Sequence, residues 1–208
     1  MATLADMRDE ILDDLDRADL ASQAEKAIRK AIRRFQTERF HFNEKRFTFA
    51  TVAGQALYGA GAHAYLPDLY TVDTVELIDG ASTFELARAP VSEMDGSNVI
   101  GSTGQPAFWG YFDRQFRLHS VPNAVYTVQV SAHVKVAEPA ALSDDGNAWM
   151  SEAWDLIASR AKWHLAVHLL KDGELASAMI GANADALNTL SGRVNKMGAT
   201  GQVRAFGL

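Results

Sequence analysis

Apolar residues recur every three to four positions at both ends of this chain and every second position through its middle. A helix repeats at 3.6 residues and a strand at 2. No single regular element can satisfy both periods, so the chain must form helices, then a sheet, then helices again. Near the N-terminus, Thr3 and Asp6 have the spacing of a helix-start box. Leu4, Met7, Ile11, Leu12 and Leu15 follow at helical intervals. After a break near Asp19, Ser22 and Glu25 read as a second start. Ala24, Ala27, Ile28, Ala31, Ile32 and Phe35 then make one apolar stripe whose alanines admit a close neighbour. Helices are expected over about 4–17 and 22–40.

Between about 45 and 137 the period is two. The clearest run is "VYTVQVSAHVKV", in which Tyr126, Val128, Val130, Ala132, Val134 and Val136 alternate with polar residues. Other short runs end at Ala53-Gly54, Asp79-Gly80-Ala81, Asp113-Arg114-Gln115 and Pro122-Asn123-Ala124, which predicts an antiparallel meander folded into a sandwich or small barrel. Segments 59–66 and 93–105 are glycine-rich and expected to loop, with a short helix near Val91–Asp95. Helical spacing resumes at Trp154, Ile157, Ala158, Ala161, Leu165 and Leu169. It stops at Lys171-Asp172-Gly173 and restarts through Leu175, Met179, Ala182, Ala186 and Leu190. The last ten residues carry no period and read as an arm.

The expected fold is therefore α+β, an α-helical bundle built from both chain ends with an inserted antiparallel β-sandwich or barrel and an extended C-terminal arm. The boundaries are 1–44 with 146–198 for the bundle, 45–145 for the β insertion and 199–208 for the arm. The handover carries "FQTERFHFNEKRFTF", with five phenylalanines in fifteen positions. Each buried Phe contributes about 1.5–3 kcal/mol, so the cluster is expected to join bundle to sheet as core or to enter a subunit interface.

Chemistry is sparse. The chain has no cysteine, which removes disulfides, thiol catalysis and cysteine-based zinc sites. The N-terminus shows no basic-then-apolar leader, and no apolar run reaches the ~20 residues a membrane helix needs. His164 and His168 stand four apart on a helix, but Leu165 follows the first where a zincin requires Glu, so they read as structural. "GSTGQPAFWG" lacks the ending of a phosphate loop. Asp144 and Asp145 beside Gly146-Asn147 read as turn and cap residues rather than an acid–base pair. No catalytic residue, cofactor or metal is expected.

Charge is segregated. Residues 1–21 hold seven acidic residues against two basic ones, a net of −5. Residues 22–46 hold eight basic against three acidic, a net of +5. Either the two faces pack together in one subunit, or the acidic face of one copy meets the basic face of the next, a head-to-tail contact that closes into a ring when its rotation permits. Asp9, Asp13, Arg29 and Arg33 are the candidates for that contact. The whole chain has a net charge of −6, opposite to the balance of a protein that grips nucleic acid by its phosphates.

The opening "TLADMRDEILDDLDRADLASQAEKAIRKAIRRFQTERFHFNE", with "TFATVAGQALYGA", "LHSVPNAVYTVQVSAHVK" and "LSDDGNAWMSEAWDLIASRAKWHLAVHLLKD" later in the chain, resembles the head-to-tail adaptor (connector) proteins of tailed bacteriophages. The resemblance implies a structural virion protein at the head–tail junction, made in the host cytoplasm and not an enzyme. It implies a homo-oligomeric ring, a dodecamer, beneath the portal protein, with a downstream tail or nozzle protein below. DNA would pass through its channel without specific binding, and no membrane is involved. It assigns portal docking to the C-terminal arm, with Arg204 and Phe206 as candidate contacts. The competing expectation is a monomeric cell-wall-degrading enzyme or carbohydrate-binding module, with Trp109, Tyr111 and Tyr126 as stacking surfaces.

Overall fold

A computed structural model describes residues 2–96 and 102–198, with side chains described up to residue 94 in the first segment and 193 in the second. The fold is α+β. Its contacts divide into a helical unit, residues 1–42 with 136–208, and a β unit, residues 43–135.

In the helical unit, α1 (Leu4–Asp14) begins with the expected box. The Asp6 N–H donates to Thr3 Oγ1 at 3.1 Å and the Thr3 N–H donates to Asp6 Oδ2 at 2.9 Å. The Thr3 hydroxyl also donates to Asp6 Oδ2 at 2.8 Å, and this bond, then that from the Thr3 N–H, holds the Asp6 carboxyl below its usual range. Leu15 caps the helix, and Asp16, with φ at 49°, turns the chain. A 3₁₀ turn at Ala18–Leu20 leads directly into α2 (Ala21–Phe35), so Leu20 holds the N-cap position and Ser22 lies inside the helix. All six residues of the expected stripe are buried. The helix stops at Phe35, short of residue 40, in a turn closed by the Glu38 N–H on the Phe35 carbonyl.

The returning chain contributes α4 (Ala148–Ser151), capped by Asn147, and α5 (Trp154–Leu165), after α3 (Val91–Gly96) of the β unit. A π-helical turn at Ala166–Leu170 follows, and Lys171, in the left-handed region at φ 56°, ends it. The last helix, α6 (Gly173–Gly198), returns along α5. There Asn183 Nδ2 donates to the Leu156 carbonyl at 2.9 Å and to Ser159 Oγ at 3.1 Å. Segment 136–145 packs in this unit, with Val136 and Leu142 against its core.

The β unit holds two four-stranded sheets around one core. The first runs β1 (Glu44–Ala50), β10 (Thr127–Val134), β3 (Leu69–Asp79) and β4 (Ser82–Glu85), antiparallel throughout, with Val130 flanked by Phe47 and Val75. The second runs β2 (Leu57–Tyr58), β8 (Gln115–His119), β7 (Phe108–Phe112) and β5 (Ala87–Arg88). A small ribbon pairs β6 (Thr103–Gly104) with β9 (Val121–Pro122). Among the described residues neither sheet closes on itself and residues of both share one core, the sandwich form of the two expected. Two pairings depart from the antiparallel expectation, since β5 runs parallel to β7 and β6 to β9. The tight turn between β7 and β8 places both Asp113 and Arg114 at positive φ, the mirror-image turn that matches strand twist. Gly110 on β7 is required by close approach, because a Cβ there would meet the Ala89 carbonyl and Val91 Cγ2 at 3.0 Å.

The five phenylalanines of the handover do not form one joining core. Phe35, Phe40 and Phe42 are buried in the helical unit, the last two against Trp149, whereas Phe47 and Phe49 are buried in the β unit. The unit boundary falls after Phe42. Each core thus takes the rings on its own side, and the interface alternative is not needed to bury them.

Candidate assembly surface

The acidic helix α1 turns Leu4, Met7 and Ile11 inward and leaves its carboxylates outside. Asp13 is exposed, and Asp9, also exposed, pairs with its neighbour Arg8 at 2.7 Å. Asp14 pairs with Lys162 of α5, and Glu10 accepts from Trp154 Nε1 at 3.2 Å. Four-residue spacing puts Asp9 and Asp13 on one helix face.

The basic helix α2 spends part of its charge locally. Arg33 makes a two-pronged contact with Glu138, at 2.7 and 3.3 Å. Arg29 reaches Glu25 at 3.0 Å and Glu138 at 3.9 Å, and donates to the Pro139 carbonyl at 2.7 Å. The structure therefore brings Arg29 and Arg33 together on one acceptor within the subunit. Arg204 and Phe206 lie outside the described residues.

The neighbouring cations of α2 face elsewhere. Lys30 and Arg34, with Arg160 and the two histidines of α5 and its π turn, line a recess of about 250 Å³. The Arg160 guanidinium stacks over the Trp163 ring at 4.0 Å. Sequence reasoning missed this group. A run of four cationic positions on α2 was the available signal, but their partners on α5 lie about 130 residues away.

His164 and His168 do approach, with ring centroids 4.4 Å apart. Lys30 Nζ lies 2.8 Å from His164 Nε2, which makes the imidazole a neutral acceptor with its proton on Nδ1. Among the described residues no group of three or more His, Asp and Glu is placed to hold a metal. Burial, then Lys30, His168 and Arg160, push the His164 pKa below its ordinary value of 6.5. The native state resists this proton while the unfolded chain accepts it, so stability is lost as pH falls through about 6.5 towards the native value. His164→Asn is expected to flatten the acid-side fall in melting temperature between about pH 7.5 and about 5.5. Equal slopes for the two proteins would contradict that.

The three aromatic residues that the competing sugar-binding expectation calls on are otherwise engaged. Trp109 is 4% exposed and lies flat on Phe116, with centroids at 5.2 Å. Tyr126 is buried beside Val128 and donates to Asn123 Oδ1 at 2.6 Å. The half-buried Tyr111 donates to the Leu66 carbonyl at 2.7 Å. The Asp144 carboxylate accepts from the backbone N–H groups of Ala140 and Ala141, a turn role. Among the described helices none is long and apolar enough to cross a membrane.

Exposed charge on two helices is thus the feature that the geometry leaves at the surface of the helical unit. The sequence pattern of the SU10 adaptor protein family matches residues 2–205, and the chain belongs to that family. The family's name is that of a phage adaptor, a structural class of virion component. No curated protein matches the chain.

Proposed function

We propose that the chain is the head-to-tail adaptor of a tailed phage, a structural protein that forms a ring, of twelve copies, beneath the portal protein. The ring docks a downstream tail or nozzle protein and continues the DNA channel. The observation that carries this reading is the family match across nearly the whole chain. The helical unit contributed by both chain ends and the opposite charges of α1 and α2 support it. A net charge of −6 suits a conduit along which DNA must slide, since each lysine or arginine contact to phosphate adds salt-sensitive adhesion. In this reading Asp9 and Asp13 lie in the subunit contact, with Arg29 and Arg33 at its margin. Arg204 and Phe206 engage the portal.

The test is deletion of residues 199–208. The truncated chain is expected to keep the circular dichroism and melting temperature of the full protein and to lose portal docking, read by particle mass with and without portal. Docking at full strength would refute the arm's role. A full-length chain that never changes mass with portal would refute the adaptor reading.

A further inference from the structure

The recess between α2 and α5 concentrates positive charge without a counter-ion on its wall. Lys30, Arg34 and Arg160 line it with the two histidines, and no carboxylate is among its lining residues. Arg34 has an acidic neighbour in Glu38, at 3.7 Å, in the turn that follows α2 and outside the recess lining. Arg160 is half-buried, and burial together with Arg34 disfavours its charge. Like charges gathered in a partly desolvated hollow repel one another, and an oxyanion seated among them relieves that repulsion. Arg29 and Arg33, one position round the same helix, already have Glu138 and need no such ligand.

The same chain carries the complementary shape. Asp9 and Asp13 stand exposed on one face of α1, in a segment of net −5. Within the subunit, α1 meets α5 through Asp14 with Lys162 and Glu10 with Trp154, none of which lines the recess. We infer that the recess of Lys30, Arg34 and Arg160 receives the Asp9 and Asp13 carboxylates of a second copy of this chain. This rests on the ring reading of the preceding section and names its charged contact. Arginine forks take carboxylates in two-pronged geometry, and complementary charge fixes register between copies.

The test uses full-length chains. Arg34→Glu/Arg160→Glu and, separately, Asp9→Lys/Asp13→Lys are each expected to raise the concentration needed for self-assembly, with or without portal, at least about tenfold. Mixing the two variants is expected to restore assembly to within about threefold of wild type, because each then supplies the other's complement. A second measurement does not depend on how Arg160→Glu folds. The chain has no cysteine, so Asp13→Cys and Arg34→Cys chains, mixed under mild oxidation, are expected to cross-link to each other in preference to themselves. Wild-type multimers that form while both reversal variants assemble normally would overturn the contact and leave the ring reading intact. Loss without rescue in the mixture, with no preferential cross-link, would mean another anion fills the recess and would also overturn it. Failure of the wild type to assemble under any condition would remove both.

Discussion

Replacing Trp149 with Ala is expected to remove a large share of the stability of the helical unit. Trp149 is fully buried and makes edge contacts with Phe40 and Phe42, at centroid distances of 6.0 and 5.2 Å. A Trp→Ala change at such a site costs about 3–5 kcal/mol, from lost burial and from the cavity left behind. Domains are stable by only about 5–15 kcal/mol, so the melting temperature should fall by on the order of 10 °C. The indole also donates from Nε1 to the Val136 carbonyl at 3.2 Å, but Gln36 Nε2 donates to the same oxygen at 2.7 Å. Losing the indole donor leaves that carbonyl satisfied. Trp149→Phe is therefore expected to cost much less than Trp149→Ala, about 1–2 kcal/mol, chiefly through volume. Helical circular dichroism followed through a urea titration reads both changes. Equal midpoints for Trp149→Ala and wild type would contradict the placement of this side chain at the centre of the core.

What was legible in the residues follows from how far each signal reaches. The stripe from Ala24 to Phe35 and the alternation from Tyr126 to Val134 appear as buried faces because both periods are local and long enough to average out exceptions. The start of α2 misled for a different reason. Ser22 has the right chemistry for a cap, but the 3₁₀ turn at Ala18–Leu20 already aims the chain into the helix, so the cap position passes to Leu20. Strands β5, β6 and β9 span two residues each, too short to show any period. Their parallel pairing depends on where the chain returns rather than on their own side chains.

The charged surface was half legible. Segregation of sign between the first 21 residues and the next 25 is plain in the residues. Which cations remain available is not, because Glu138, which engages Arg29 and Arg33, lies over 100 positions away. The fold thus gathers Lys30 and Arg34 with Arg160 from α5 around a recess whose lining holds no carboxylate. A face of one helix became a recess shared by two.

Val130→Asp is expected to be as damaging to the β unit as Trp149→Ala is to the helical one. Val130 is fully buried on β10, with Phe47 on one side and Val75 on the other, in a cluster of apolar side chains. The change forfeits the burial of Val, about 1.5–3 kcal/mol, and leaves a carboxyl without a partner, at least about 1–3 kcal/mol more. Burial raises the pKa of such a carboxyl above its unfolded value, so the native state binds its proton more readily than the unfolded chain does. The excess destabilisation relative to wild type should then be largest near neutral pH and shrink as pH falls through the raised native value towards about 4. Ser131→Asp, one residue along, is expected to change stability by no more than about 0.5 kcal/mol. Ser131 points to the other face, where its Oγ accepts from Arg46 Nε at 3.1 Å, and a carboxylate there would meet that guanidinium. Because a strand alternates its faces with a period of two, these adjacent substitutions must differ by several kcal/mol if the register is right. Similar urea midpoints for Val130→Asp and Ser131→Asp would mean that β10 is shifted by one residue, turning its valines away from the core.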